Sequence, residues 1–142
     1  MKIILFSGLC FLCFNAGVFA QHGMLTLKVD RIDLEKGGKL SIAVFDEKNF
    51  LNTGQQLYDR EVDVTAEQME IIIEKIPEGT YAVAVFQDID RSNDLKTNFI
   101  GFPQEPFGFS NNARIRFGPP SFSDAQFKVE SDKNIILKIV LR

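Results

Sequence analysis

Ile76-Pro77-Glu78-Gly79-Thr80-Tyr81-Ala82-Val83-Ala84-Val85-Phe86 is the stretch that decides the fold. Pro77-Glu78-Gly79 is a turn, because proline presets φ and glycine reaches conformations closed to other residues. Tyr81 to Phe86 is apolar at every position. Such a run predicts a strand covered on both faces and therefore central in its sheet. Upstream, Leu25, Leu27 and Val29 alternate with Thr26, Lys28 and Asp30, the period of a half-buried strand. Glu35-Lys36-Gly37-Gly38-Lys39 reads as a turn, and Leu40, Ile42 and Val44 then alternate with Ser41, Ala43 and Phe45. The second strand is thus expected to return beside the first. Phe50 to Gln56 reads as loop, and Glu61–Val64 and Met69–Ile73 as further strands around a turn at Ala66-Glu67-Gln68. Downstream, Gln126–Val129, a polar turn at Glu130–Lys133 and the alternation from Ile135 to Arg142 predict a final hairpin. No segment carries a helical stripe. About seven short strands with Gly/Pro turns indicate an all-β fold, an antiparallel β-sandwich, with a barrel as the structural rival.

The chain has 142 residues, enough for one domain; 45% are hydrophobic and 25% charged, which excludes a disordered tail and a disulfide-dense miniprotein. A net charge of −3 with no basic cluster argues against nucleic acid as a partner. The first twenty residues differ from the rest. Lys2 precedes an apolar run from Ile3 to Phe14, interrupted only by Ser7 and Gly8, and Val18-Phe19-Ala20 follows. This order predicts a signal peptide over residues 1–20, cleaved after Ala20, and a single domain over 21–142. The apolar run is about a dozen residues, short of the roughly 20 that a spanning helix requires, so no membrane span is expected in the mature form. Cys10 and Cys13 lack the small preceding residues of a lipoprotein site, and both would leave with the signal. The mature protein is expected to be exported, periplasmic or secreted, without thiol or disulfide.

The segment from Phe99 to Phe127 is unusual. It holds Phe99, Phe102, Phe107, Phe109, Phe117, Phe122 and Phe127 together with Pro103, Pro106, Pro119 and Pro120. Proline removes ladder donors, so most of this segment is not regular strand. A long loop of this kind is either functional or packed by its own side chains. The rings either plug an open edge of the sandwich or form a surface for a ligand or partner.

The one histidine, His22, lies near the expected new N-terminus, where a chain is ordinarily mobile. Ser110 and Ser121 have no visible histidine partner, so a hydrolytic triad is not expected, nor is a zinc or copper site of the usual kind. One constellation carries a mechanism. Asp88, Asp90, Ser92 and Asp94 alternate directly after the apolar strand. In a tight loop this spacing turns several oxygens toward one point, the arrangement that Ca²⁺ takes. Asn93 stands where calcium loops often place glycine, and asparagine tolerates the left-handed conformation. Against this, Phe99 occupies the place of the closing glutamate, and Lys96 brings a positive charge close. The same residues make an ordinary polar turn, and both readings stand at this point.

The strings Ile76-Pro77-Glu78-Gly79-Thr80-Tyr81-Ala82-Val83, Asp88-x-Asp90, Asn98-Phe99-Ile100-Gly101-Phe102-Pro103, Phe107-Gly108-Phe109-Ser110-Asn111-Asn112-Ala113 and Gly118-Pro119-Pro120-Ser121-Phe122 together resemble an exported bacterial family, domain of unknown function 2141. The resemblance runs from about Leu25 to Leu141 and implies an exported single-domain sandwich, similar to transthyretin-like, immunoglobulin-like and carboxypeptidase-regulatory-like domains. It implies no activity. Members of that family commonly carry His where this chain has Gln87, Gly where it has Asn93, and Asp where it has Lys96, which weakens a metal site carried over to this chain.

The leading expectation is a non-enzymatic binding or structural module with a cell-envelope protein or a glycan as partner. Its expected surface joins the loop Gln87–Asn98, with or without Ca²⁺, to Asn98, Phe107, Phe109, Asn111 and Asn112. A carbohydrate- or lipid-binding domain using exposed Phe107, Phe109 and Phe117 is the second expectation, with the absence of Trp counting against sugar. The third is a small hydrolase, which needs two facing carboxylates about 5–9.5 Å apart.

Overall fold

The computed structural model describes residues 21–142; the expected signal peptide lies outside them. The described chain forms eight strands in two packed sheets: β1 His22–Asp30, β2 Lys39–Phe45, β3 Tyr58–Asp63, β4 Gln68–Pro77, β5 Gly79–Asp88, β6 Phe107–Phe109, β7 Phe127–Val129 and β8 Asn134–Val140. A 3-10 turn at Ser110–Asn112 and one turn of α-helix, α1 at Phe122–Ala125, complete it. The smaller sheet runs β4-β1-β8 and the larger β3-β2-β5-β6, with β7 also on β5. The fold is a sandwich and not a barrel.

The alternating residues do what their period requires. Leu25, Leu27 and Val29 from β1, Leu40, Ile42 and Val44 from β2, Val83 and Val85 from β5 and Ile139 from β8 meet between the sheets, none more than 2% exposed. Each such side chain contributes roughly 1.5–3 kcal/mol relative to exposure. In β4, Ile73 and Ile76 are three apart yet both buried. A register shift opposite Gly23/Leu25, with Lys75 at φ 58°, absorbs the extra residue. β5 is central, flanked by β2 on one side and by β6 and β7 on the other, as its uniformly apolar sequence indicated.

Two expected pairings are corrected. β1 and β2 do not form a hairpin: β1 pairs with β4 and β8, and β2 with β3 and β5. The link between them is an arch from one sheet to the other. Ile32 is buried in the core, and Gly38, at φ 84°, passes so close to the Asp88 carbonyl that a Cβ would lie 2.2 Å from it. A two-residue turn would keep both strands in one sheet; this longer link, with a buried residue inside it, changes layers. Likewise β7 pairs with Gly79–Tyr81 of β5, and β8 crosses to the smaller sheet. There β8 runs parallel to β1, the one departure from antiparallel order among the named pairs.

The phenylalanine-rich segment does not plug an edge. It leaves the free edge of β5 after Phe109 and rejoins the same edge at Phe127. Between these points it folds over the outer face of the larger sheet and builds a second core from Ala82, Phe109 and Ala125, with Phe50, Leu51, Phe107, Ile115 and Phe122 against them. Phe45, Phe50 and Phe122 stack edge to face, with ring centroids 6.1 and 5.6 Å apart. Where β6 diverges, the Ser110 hydroxyl replaces the missing ladder bond: its Oγ accepts from the Val83 N–H at 2.9 Å and donates to the Ala125 carbonyl. The Ser121 Oγ caps α1 by accepting from the Asp124 N–H at 3.2 Å. His22 sits in β1, opposite Pro77, and not in a free tail.

Candidate functional site

The loop after β5 begins with two buried polar residues. Gln87 is fully buried and fully paired. Its Oε1 accepts from the Asp33 N–H at 2.9 Å, and its Nε2 donates to the Asp33 and Gly37 carbonyls at 2.8 and 2.6 Å. It therefore clamps the arch onto β5. Asp88 is equally buried, and its two oxygens accept from Ser92 N–H at 3.0 Å and Asn93 N–H at 2.8 Å. Those bonds bend the chain so tightly that Arg91 and Asn93 take φ values of 58° and 61°. Asp90 pairs with the Lys96 ammonium, and its Oδ1 accepts from Ser92 N–H at 3.3 Å. Lys96 holds the Asp90 carboxyl down to about 2, and Asp90 in turn raises Lys96 above its ordinary value.

Of the four residues the spacing singled out, Asp88 and Asp90 converge. Ser92 spends its hydroxyl on the Asp94 carbonyl at 3.1 Å, and the Asp94 carboxylate stands outside the acidic cluster. The third member is Glu105, which sequence reasoning missed. One carboxylate oxygen from each of Asp88, Asp90 and Glu105 lies within 4.8 Å of the others. Glu105 is 6% exposed and accepts from Ile89 N–H at 2.9 Å and Lys96 N–H at 3.2 Å. The signal was there: Glu105 is the sole acid between Asp94 and Asp124. The donor set meets a Ca²⁺ ion poorly. Calcium takes six to eight oxygens, whereas those of Asp88 and Glu105 already accept backbone N–H groups and Asp90 faces an ammonium. What the geometry does support is a clamp joining the loop after β5 to the phenylalanine-rich segment.

The expected recognition asparagines turn out to be backbone ties. Asn98 Oδ1 accepts from Ile100 and Phe102 N–H at 3.1 and 2.9 Å. Asn111 Nδ2 donates to the Gln126 carbonyl at 2.7 Å. Asn112 bridges to β8, accepting from Val140 N–H at 2.9 Å and donating to the Lys138 carbonyl at 3.2 Å. Phe109 is buried in the second core and offers no exposed ring, Phe107 is half-buried, and Phe117 is fully exposed.

A groove lies between the outer face of the larger sheet and the loops over it. Its floor follows from register. Ala43 of β2 stands opposite Ala84 of β5, in a row that runs Asp59, Ala43, Ala84, Phe109 across four strands. The next row reads Glu61, Ser41, Phe86, Phe107. Two adjacent alanines keep the floor low, while Leu51, Phe86, Phe102, Phe107 and Ile115 form walls around a cavity of about 860 Å³. Its polar groups lie toward β3, where Gln56 Nε2 donates to Asp59 Oδ2 at 3.0 Å and Lys39 pairs with Glu61 at 2.6 Å. Gln56 Oε1 is shielded and accepts no hydrogen bond. Arg116 lines the groove from the phenylalanine-rich segment.

Fold and site thus define a two-sheet β-sandwich whose larger sheet carries a looped, phenylalanine-rich cover. The chain belongs to the family described as an uncharacterized protein conserved in bacteria, DUF2141, whose model matches residues 27–136. No curated protein and no solved structure matches the chain significantly. Among the described residues no helix is long and apolar enough to cross a membrane.

Proposed function

We propose that the protein is an exported, non-enzymatic binding module whose ligand site is the groove over the outer face of the larger sheet. One observation carries this reading. A cavity of about 860 Å³ with an apolar floor and walls and a few polar groups at one side has the size and chemistry of a small-molecule pocket. Its lining favours an apolar or amphiphilic ligand over a glycan, since rings and alkyl groups surround it and tryptophan is absent from the chain. A catalytic role finds less support: Asp88 and Glu105 spend their oxygens on backbone N–H groups that hold the loop. The acidic loop then serves as the clamp that sets one wall of the groove. Export rests on the composition of residues 1–20.

The test is uptake of the fluorescent probe 1-anilinonaphthalene-8-sulfonate by the purified protein and by the variant Ala84→Trp. An indole at the floor fills the groove from the face of β5 opposite the main core, where Ala84 packs against the second core. Wild type is expected to bind the probe at micromolar concentration, and the variant at least about tenfold more weakly while still unfolding in one cooperative transition. Absence of uptake, or uptake that the indole leaves unchanged, refutes the reading.

A further inference from the structure

We infer that the protein docks on anionic lipid surfaces through the two loop tips at the mouth of the groove. Phe99 is 99% and Ile100 72% exposed on one tip, and Phe117 is fully exposed on the other. Residues 100–103 and 115–119 line the same cavity, so Ile100 and Phe117 rim a single opening, with Phe99 next to Ile100. Rings held in water are costly unless something takes them out of it. Both tips are braced. The Asn98 side chain accepts two N–H bonds across the first, and a bridge between Thr97 and Pro103 closes its base. Ile115 roots the second in the outer core. A braced tip loses little freedom on insertion, which favours binding.

Charge selects the partner. Arg114 and Arg116 are exposed beside Phe117, and neither forms a salt bridge among the described residues. From Pro106 to Ser123 the chain carries no acid, although the protein as a whole has a net charge of −3. One apolar tip flanked by guanidinium groups, beside a second that carries no charge from Thr97 to Gln104, matches a surface that offers hydrocarbon below and phosphate above. This inference uses the tips and not the cavity, so it stands or falls separately from the ligand reading.

Co-sedimentation of the purified protein with vesicles tests it, using phosphatidylcholine alone and phosphatidylcholine with about a quarter phosphatidylglycerol. Binding is expected to be at least about tenfold stronger to the anionic vesicles and to weaken at about 0.5 M salt. Phe99→Asp and Phe117→Asp, both at exposed positions, should each lower binding about tenfold or more. Arg114→Glu with Arg116→Glu should abolish the preference for anionic lipid, and Ile136→Asp, at an exposed position on the smaller sheet, should leave vesicle binding unchanged. Failure of the wild type to bind anionic vesicles, or binding indifferent to the tip variants, overturns the inference and points to a protein partner for the tips.

Discussion

Replacing Glu105 with alanine sets two effects of comparable size against each other. The carboxylate is 6% exposed and accepts two backbone N–H bonds, at 2.9 Å from Ile89 and 3.2 Å from Lys96. Hydrogen bonds to a charged partner are worth roughly 1.5–3 kcal/mol each, so their loss costs about 4–5 kcal/mol. The substitution also relieves repulsion. Asp90 is neutralised by Lys96, which leaves Asp88 as the uncompensated neighbour, with a carboxylate oxygen within 4.8 Å. Like charges at that separation repel by about 3 kcal/mol at an effective dielectric constant of about 20, and by less where water reaches the rim. The hydrogen bonds win, for a net destabilisation of about 2 kcal/mol and a fall in melting temperature of about 8 °C in a domain of this size. Thermal unfolding followed by circular dichroism measures it, and amide exchange at Ile89 and Lys96 should lose protection. Glu105→Gln, which keeps one acceptor and removes the charge, should fall between the two. An unchanged or raised melting temperature for Glu105→Ala would mean that repulsion dominates, and the clamp argument would fail.

Acid should weaken the loop in a defined window. Because the folded-state value of Asp90 is depressed to about 2 from 3.8, its stabilising contribution is complete above about pH 4 and vanishes as pH falls through about 2. A melting curve taken between about pH 5 and 2 should be steeper in wild type than in Lys96→Met, which lacks the ammonium that lowers Asp90. Millimolar calcium should move the wild-type melting temperature by less than about 1 °C, because the clamp oxygens are already engaged; a rise of about 5 °C would show that the ion displaces Lys96.

The strands were legible because their signal is local. Leu25, Leu27 and Val29, or Leu40, Ile42 and Val44, declare a buried face through the period-2 geometry of the chain itself, and the apolar run Tyr81–Phe86 declares a central strand. Pairing is a different matter. Adjacent strands β1 and β2 went to opposite sheets because Ile32 found room in the core and Gly38 could pass against β5, neither of which is written in alternation. The site divides in the same way. Asp88 and Asp90 were visible from their spacing, but their companion Glu105 comes back to them from the start of the phenylalanine-rich segment, just before β6. Asn98, Asn111 and Asn112 read as recognition residues because polar side chains in a loop look available. In the fold each ties backbone groups: Asn98 through its Oδ1, Asn111 through its Nδ2 and Asn112 through both ends.

The amino-acid sequence alone determined that this is an all-β fold, since strand periodicity and turn chemistry act over a few residues; that it is a sandwich and not a barrel was settled by the two separate sheets. It also carried the family resemblance. Only the tertiary structure decided which strands share a sheet, that the phenylalanines cover an outer face, and that Ala43 and Ala84 meet to floor a groove. Those outcomes depend on contacts between residues far apart in the chain. Their energies come from shape and burial, which no local pattern records.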